Sequence, residues 1–228
     1  MNQTTKIKCI GFIMDGNRRW AKSQGLETFE GHKKGGEVLR DSISFVQEQQ
    51  IPHAVYYAFS TENWQRSEEE VGYLMDLFRE WIRKIEEEFV EDEKVQVKFI
   101  GRREDFSDDL IEQMNKREDR GSKEAETTIW IALAYGGRAE ILETVNRDAG
   151  EGRAVTEESF NSLLWTAEMP DPDIVVRTGG EQRLSNCLPW SSVYSELYFM
   201  EKPWPALTTE DFTDILHEYE KRDRRTGK

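Results

Sequence analysis

The sequence predicts an α/β fold, a central, mostly parallel six-stranded sheet flanked by helices. Three observations predict it. Short apolar runs, too brief for buried helices, alternate along the chain with longer stretches of helical periodicity. Most of the short runs are rich in β-branched and aromatic residues. The residues with anion- and metal-binding chemistry cluster just after those runs, where open parallel sheets bind ligands. No Pro/Gly/Ser linker, repeat or low-complexity segment interrupts the chain, so residues 1–228 are expected to form one domain.

The six strands are expected at 7–14, 54–60, 95–100, 127–135, 173–177 and 197–200. Helices are expected at 31–50, 68–91, 107–120, 138–149, 156–165 and 209–223. The clearest helix follows Ser67, which can cap it, with Glu70 three residues on as a capping box requires. Val71, Leu74, Met75, Phe78, Trp81, Ile82, Ile85 and Phe89 then recur at three- and four-residue steps. Such a stripe either faces the core or walls an apolar ligand cavity. The acidic run at 86–88 and 91–93 reads as a solvated helix end.

Composition narrows the function. Of 228 residues, 37% are hydrophobic, enough for a core that needs no disulfide staples. The balance of 45 acidic against 31 basic residues gives a net charge of −14, which argues against nucleic acid as a partner. It leaves room for a small basic pocket. Cys9 and Cys187 are the two cysteines, too few for a disulfide framework or a multi-cysteine zinc site. The longest apolar stretch, 129–135, is far short of the roughly 20 residues of a spanning helix. The first residues lack a secretory pattern, so a reduced, cytoplasmic setting is expected.

The segments after the strands carry the chemistry. Met14-Asp15-Gly16-Asn17-Arg18-Arg19-Trp20 reads as a turn, but two arginines behind a glycine also suit phosphate oxygens. Asp15 offers these cations' neighbourhood a hard oxygen ligand suited to magnesium. Gly31-His32-Lys33-Lys34-Gly35-Gly36 resembles a helix start that attracts anions, although an isolated histidine such as His32 also reads as a surface residue. Ser60, Thr61, Glu62, Asn63, Trp64 and Arg66 follow the second strand. Tyr135-Gly136-Gly137-Arg138 ends the fourth. Arg177-Thr178-Gly179-Gly180, with Arg183, Leu184, Ser185 and Asn186 close behind, forms a second expected anion cradle after the fifth. Glu196 precedes the last strand and could supply a second metal carboxylate. Walker A and G-x-G-x-x-G patterns are both missing. Two anion cradles, two candidate metal carboxylates, apolar walls and no dedicated nucleophile point to transfer chemistry on diphosphates.

The blocks MDGNRRWA, EGHKKGG, YAFSTENWQRS, AYGGR, RTGGEQRLSN and SELYF, in this order, resemble the cis-prenyltransferase family, also called undecaprenyl diphosphate synthases. The resemblance runs from about residue 9 to 227. It implies a parallel-sheet fold with an apolar tunnel, which the 71–89 stripe would line, and a homodimer. It implies magnesium and consecutive cis-condensation of isopentenyl diphosphate onto an allylic diphosphate such as farnesyl or geranylgeranyl diphosphate. The product would be a glycan-carrier lipid precursor released at the membrane periphery. By this resemblance Asp15 is the essential aspartate and metal ligand, and Asn63 the residue proposed to accept the proton. Gly16, Asn17, Arg18, Arg19 and Trp20 match the family's diphosphate-binding turn, His32 its phosphate-contacting histidine, and Ser60, Thr61, Glu62, Trp64 and Arg66 its substrate loop. Arg177, Arg183 and Ser185 would hold isopentenyl diphosphate, Leu184 would contact substrate beside them, and Glu196 would hold the metal. Arg225-Thr226-Gly227 would reach across the dimer. Thr28, Gln182, Cys187, Ala134 and Arg18 depart from residues common in the family, which bears on affinity more than on reaction class. A non-catalytic binding subunit, a short-chain member of the family, and a phosphatase or nucleotide-binding α/β protein are the rival readings. Retention of Asp15, Asn63, Arg177, Arg183 and Glu196 together argues against the first.

Overall fold

A computed structural model describes residues 7–88, 94–122, 124–150 and 154–222. The strands are β1 (Cys9–Ile13), β2 (His53–Ser60), β3 (Val95–Ile100), β4 (Thr127–Tyr135), β5 (Ile174–Arg177) and β6 (Glu196–Phe199). They form one six-stranded sheet in the order β3-β4-β2-β1-β5-β6, and every pairing is parallel. The helices are α1 (Asn17–Ser23), α2 (Thr28–Glu48), α3 (Glu68–Glu88), α4 (Asp108–Asp119), α5 (Gly137–Ala149), α6 (Glu157–Leu163) and α7 (Thr209–Lys221).

Every expected strand and six of the seven helices are where the periodicity put them, with ends shifted by a few residues. Helix α1 was not expected. Met14–Trp20 reads as a turn on its Asp-Gly-Asn, yet Gly16 serves as the cap at φ +99° and the helix starts directly behind it. A Cβ at Gly16 would also lie 2.7 Å from Cβ of Pro203, so the position requires glycine on two counts. At α3 the Ser67 hydroxyl accepts the Glu70 N–H, 3.3 Å, but the Glu70 carboxylate turns to Arg66 instead of closing the box. Phe89 and the acidic run 91–93 lie outside the described residues, as does the side chain of Ile85.

Both faces of the sheet are covered, which is what parallel strands demand. The larger apolar cluster joins Phe12, Tyr56 and Phe59 of the strands to Leu39 and Phe45 of α2, Leu74 and Phe78 of α3, and Phe212 of α7. The second lies on the opposite face and includes Ile13, Val55, Trp130, Val175, Cys187 and Leu188. Phe12 is the hub of the first. Its ring stacks on Tyr56 at 5.1 Å and meets Trp204 and Phe212, each at 5.8 Å. Phe12→Ala removes these contacts and should destabilise the fold by about 3–5 kcal/mol. A thermal melt should show the midpoint falling by about 10 °C, and an unchanged midpoint would contradict this packing role.

Candidate active site

A cleft of about 1150 Å³ opens at the carboxyl ends of β1, β2, β4 and β5. Its floor is set by a buried cation. Arg177 ends β5 with 4% of its surface exposed. Its Nη2 donates to Oδ2 of Asp15 at 2.9 Å, and its Nη1 donates to Oγ of Ser185 at 2.7 Å and to the Arg183 carbonyl. Its Nε has no partner. Because β1 and β5 are adjacent, with Ile13 level with Arg177, Asp15 lies beside that guanidinium. The second Asp15 oxygen accepts the Gly16 N–H at 2.7 Å, and Arg19 approaches it at 3.8 Å.

Helix α1 carries Asn17, Arg18, Arg19 and Lys22 into the cleft lining. The glycines of α2 seat it there. A Cβ at Gly31 would lie 2.2 Å from the Asn17 carbonyl oxygen, and one at Gly35 would lie 2.4 Å from Asn17 Oδ1. The Gly31–Gly36 segment is therefore a packing surface inside α2, whose first residue is Thr28, and not the anion-binding helix start expected from sequence. Asn17 donates to the Met14 carbonyl at 2.9 Å, while its buried Oδ1 has no partner.

His32 also lines the cleft, half-buried with its Nε2 shielded from solvent, which corrects its reading as a surface residue. Burial, with help from Arg66 and Arg18 and against Glu70, pushes its imidazole down to about 4. Its Nε2 is buried without a partner. Glu70 accepts from Arg66 at 3.0 Å and faces Arg18 at 3.7 Å, so it ties two cations together at one side of the mouth.

The turn after β2 presents Ser60, Glu62, Asn63 and Arg66 to the cleft. Asn63 Oδ1 accepts the Ser60 N–H at 3.1 Å and Ser60 caps the turn in return. Burial raises Glu62, but hydrogen bonds from its own backbone N–H and from Asn186, Ser60 and Thr61 hold the carboxyl below its ordinary value. Asn186 clamps two loops. Its Nδ2 donates to Glu62 and its Oδ1 accepts the Arg138 N–H, both at 2.8 Å.

Twelve predicted residues line the cleft: Asp15, Gly16, Asn17, Arg18, Arg19, His32, Ser60, Glu62, Asn63, Arg66, Arg177 and Ser185. Six do not. Trp20, on α1, is not part of the cleft lining. Thr61 packs on the Gly136 turn, where a Cβ would lie 2.5 Å from its Oγ1. Trp64 turns inward, 4.8 Å from the Phe59 ring and 5.5 Å from Phe106. Leu184 packs on the second apolar cluster. Arg183 points outward to Glu181. The Gly179-Gly180 amides donate to the Lys202 and Met200 carbonyls, at 2.9 and 2.8 Å, so this turn is not an open anion cradle.

Glu196 is held elsewhere. It pairs with Ile174, which is level with Ile10 at the start of β1, and roughly 10 Å of strand separates Ile10 from Ile13 alone. Its carboxylate accepts from Arg222 at 2.7 Å. One chain therefore does not bring Glu196 to Asp15. Among the described residues no cluster of three or more His, Cys, Asp or Glu could hold a metal. Magnesium, however, is commonly held by one or two carboxylates and otherwise by substrate phosphates and water. Asp15, 36% exposed at the cleft beside phosphate-suited cations, fits that mode.

Sequence reasoning passed over Tyr57, Lys22 and Trp204, all in the cleft lining. Arg138 and Asn186, expected in the loops after β4 and β5, line it as well. Tyr57 lies within β2, where nothing marks it. Its hydroxyl is shared between the Tyr135 and Ser185 carbonyls, at 3.3 Å each, and burial pushes its phenol up.

The family model described as "Putative undecaprenyl diphosphate synthase" matches residues 13–227. The chain belongs to this family. Isoprenyl transferases of Thermotoga maritima and Chromobacterium violaceum are 43% and 41% identical to it, over 96% of this chain and 95% and 87% of theirs. The crystal structure of lavandulyl diphosphate synthase from Lavandula x intermedia, in complex with dimethylallyl diphosphate, superposes with a TM-score of 0.93. It is 30% identical, over 98% of this chain and 99% of that one. A probable undecaprenyl diphosphate synthase from Campylobacter jejuni superposes at 0.84 with 28% identity, over 100% of both chains. The protein is thus a transferase of the cis-prenyltransferase type, and the fold predicted from sequence is that of these relatives.

The depressed His32 value has a measurable consequence. Its folded value of about 4 lies below the ordinary imidazole value of 6.5, so the unfolded chain takes up the proton first as pH falls. This group's contribution to stability should decline from about pH 6.5 to about pH 4 and level off below. Thermal melts of wild type and His32→Gln across that window should show the steeper decline in wild type. Parallel curves would contradict a buried neutral imidazole.

Proposed function

We propose that this isoprenyl transferase repeatedly condenses isopentenyl diphosphate with an allylic diphosphate, such as farnesyl or geranylgeranyl diphosphate. The product is a polyprenyl diphosphate of the glycan-carrier type, built within one catalytic domain. The observation that carries this reading is the amphipathic cleft. Arg18, Arg19, Arg66 and Arg177 gather at its polar end, and Leu39, Leu74, Phe78 and Trp81 wall its apolar part. An allylic diphosphate has the same division, a charged head and a hydrocarbon tail.

At the polar end, Arg177, Arg19 and the start of α1 favour the diphosphate oxygens, and His32 and Asn17 offer buried polar atoms that lack protein partners. Asp15 would hold magnesium together with substrate oxygens, and the ion supplies charge neutralisation for the leaving diphosphate. Glu196 enters only from a second copy, since its own chain holds it at the far end of the strands. The allylic C–O bond breaks and diphosphate leaves with the electron pair. The isopentenyl double bond supplies the electrons of the new C–C bond, and one proton departs. An amide is a weak base, and Asn63 Oδ1 already accepts the Ser60 N–H. Asn63 therefore orients the substrate, and the proton leaves toward diphosphate or water. Arg177, assigned by the resemblance to isopentenyl diphosphate, also lies against Asp15, so it is preorganised to stabilise the departing charge without rearrangement at the moment of reaction.

The apolar wall retains the growing chain, with about 0.8 kcal/mol per buried CH₂. Among the described residues no helix is long and apolar enough to cross a membrane. The exposed Leu26 and Phe29 lie beside the cleft, and they suit a cytoplasmic enzyme that touches the membrane from its surface to release product.

Wild type incubated with farnesyl diphosphate, labelled isopentenyl diphosphate and magnesium should yield longer prenyl diphosphates by chromatography. Asp15→Ala should cost about a thousandfold or more in rate with the fold intact. Near-normal turnover in that variant would contradict the role given to Asp15.

We also propose a homodimer. Leu142, Val193 and Tyr194 are 65%, 66% and 81% exposed, and Phe199 adds apolar surface on the edge strand β6. The expected Arg225-Thr226-Gly227 contact lies outside the described residues. Light scattering should give twice the chain mass, and Tyr194→Glu should shift it toward monomer. A fully active wild-type monomer would contradict the pairing.

A further inference from the structure

We propose that Arg138 is a further anchor for the diphosphate of the condensing substrate, isopentenyl diphosphate. This rests on the function proposed above. Two diphosphates must share the polar end of the cleft, and a cation serves an anion best when no carboxylate already holds it. Glu70 holds Arg18 and Arg66, while Asp15 holds Arg177 and lies near Arg19. Among the described residues, Lys22 and Arg138 are the cleft-lining cations with no carboxylate in ion-pair reach. Lys22 is on α1, behind the diphosphate-binding turn at 16–20. Arg138 is at the start of α5, held against Asn186, the neighbour of Ser185. Of the groups that resemblance assigns to isopentenyl diphosphate, Arg183 turns outward to Glu181, and both Nη atoms of Arg177 have protein partners. That side of the cleft lacks one unpaired cation, and Arg138 supplies it.

The base of Arg138 is fixed while its guanidinium is not. Its N–H donates to Asn186 Oδ1, and the Gly137 N–H donates to the Asn186 carbonyl, both at 2.8 Å. Those two amides are taken, so contact with an anion falls to the side chain. A Cβ at Gly137 would lie 2.0 Å from Cδ of Pro189, so α5 starts hard against the loop after β5. Two residues on, Glu140 is buried. Its carboxylate accepts the Thr166 N–H at 3.0 Å, the Thr166 hydroxyl at 2.9 Å and the Tyr135 hydroxyl. The helix start is therefore pinned from both sides, yet the Arg138 side chain is exposed at the cleft without a partner among the described residues. A fixed stem leaves less freedom to lose on binding, and the planar guanidinium can meet two diphosphate oxygens at once. The diphosphate of isopentenyl diphosphate is not the leaving group. Arg138 therefore acts on binding of that substrate and not on ionisation of the allylic one.

The test compares full-length wild type, Arg138→Ala, Arg138→Lys and Arg147→Ala with magnesium. Arg147→Ala is the control, because it removes the same charge from the same helix, where Arg147 pairs with Glu143 away from the cleft lining. With farnesyl diphosphate saturating, Arg138→Ala should raise the KM for isopentenyl diphosphate by about ten- to a hundredfold, with kcat held within about twofold. Arg138→Lys should recover part of that loss, and Arg147→Ala should change neither constant. Calorimetry adds a readout that needs no turnover. Affinity for an unreactive thio analogue of farnesyl diphosphate should stay at the wild-type value in every variant. Enzyme preloaded with that analogue and magnesium, then titrated with inorganic diphosphate, reads the second anion site alone. Arg138→Ala should bind inorganic diphosphate about ten- to a hundredfold more weakly there. If wild type makes no longer product, the proposed function fails while this titration still judges Arg138. An unchanged KM with unchanged diphosphate affinity in a cooperatively folded Arg138→Ala, or a loss that falls on the thio analogue instead, would overturn the inference.

Discussion

The buried guanidinium of Arg177 is the constraint on which the rest of the site depends. A cation at 4% exposure is expensive unless its donors are met. Asp15, Ser185 and the Arg183 carbonyl meet them, and each belongs to a loop leaving the sheet. The pairings therefore fix the loop after β1 against the loop after β5. Ser185 and Asn186 are held at φ +48° and +66°, conformations that non-glycine residues seldom adopt. The clamps from Arg177 and Arg138 to these residues account for how that backbone is kept in place. Out of water, the same guanidinium attracts an anion more strongly than a surface arginine would.

The cleft joins two environments that seldom share a wall. Its charged end is built from α1 and the loops, in a chain whose net charge is −14. The acidic surplus lies elsewhere, so local field and net charge are decoupled. Its apolar part is borrowed from the core. Leu74 and Phe78 belong to the main apolar cluster and line the cleft as well. The two readings of the α3 stripe, core face and cavity wall, are thus both true of different atoms on one helix. Binding a hydrocarbon tail there extends the core, which is why the cleft needs no separate scaffold.

Much of this was legible in the sequence. Strands β3 and β4 match their predicted ends, because alternation and β-branched runs bounded by turn residues leave little freedom in their limits. The twelve candidate residues in the cleft were legible because parallel sheets present ligands at strand ends. What failed did so for reasons of three-dimensional packing. Gly31 and Gly35 look like a phosphate loop but serve to bring α1 against α2. The Gly179-Gly180 amides look free but pair with Lys202 and Met200. Glu196 opens β6, which places it at the amino end of the sheet, away from every residue that follows a strand. Tyr57 and Trp204 gave no local signal, since their roles arise from segments distant in sequence.

The central claim is that one cleft holds a diphosphate at the Asp15–Arg177 floor and a prenyl tail against α3. A crystal structure with magnesium and an unreactive thio analogue of farnesyl diphosphate tests it most directly. The diphosphate should lie within hydrogen-bonding reach of Arg177 and His32, with the metal on Asp15 and the tail along Leu74 and Phe78 toward Trp81. A diphosphate seated away from Arg177, or a tail lying outside the α2–α3 wall, would contradict the account.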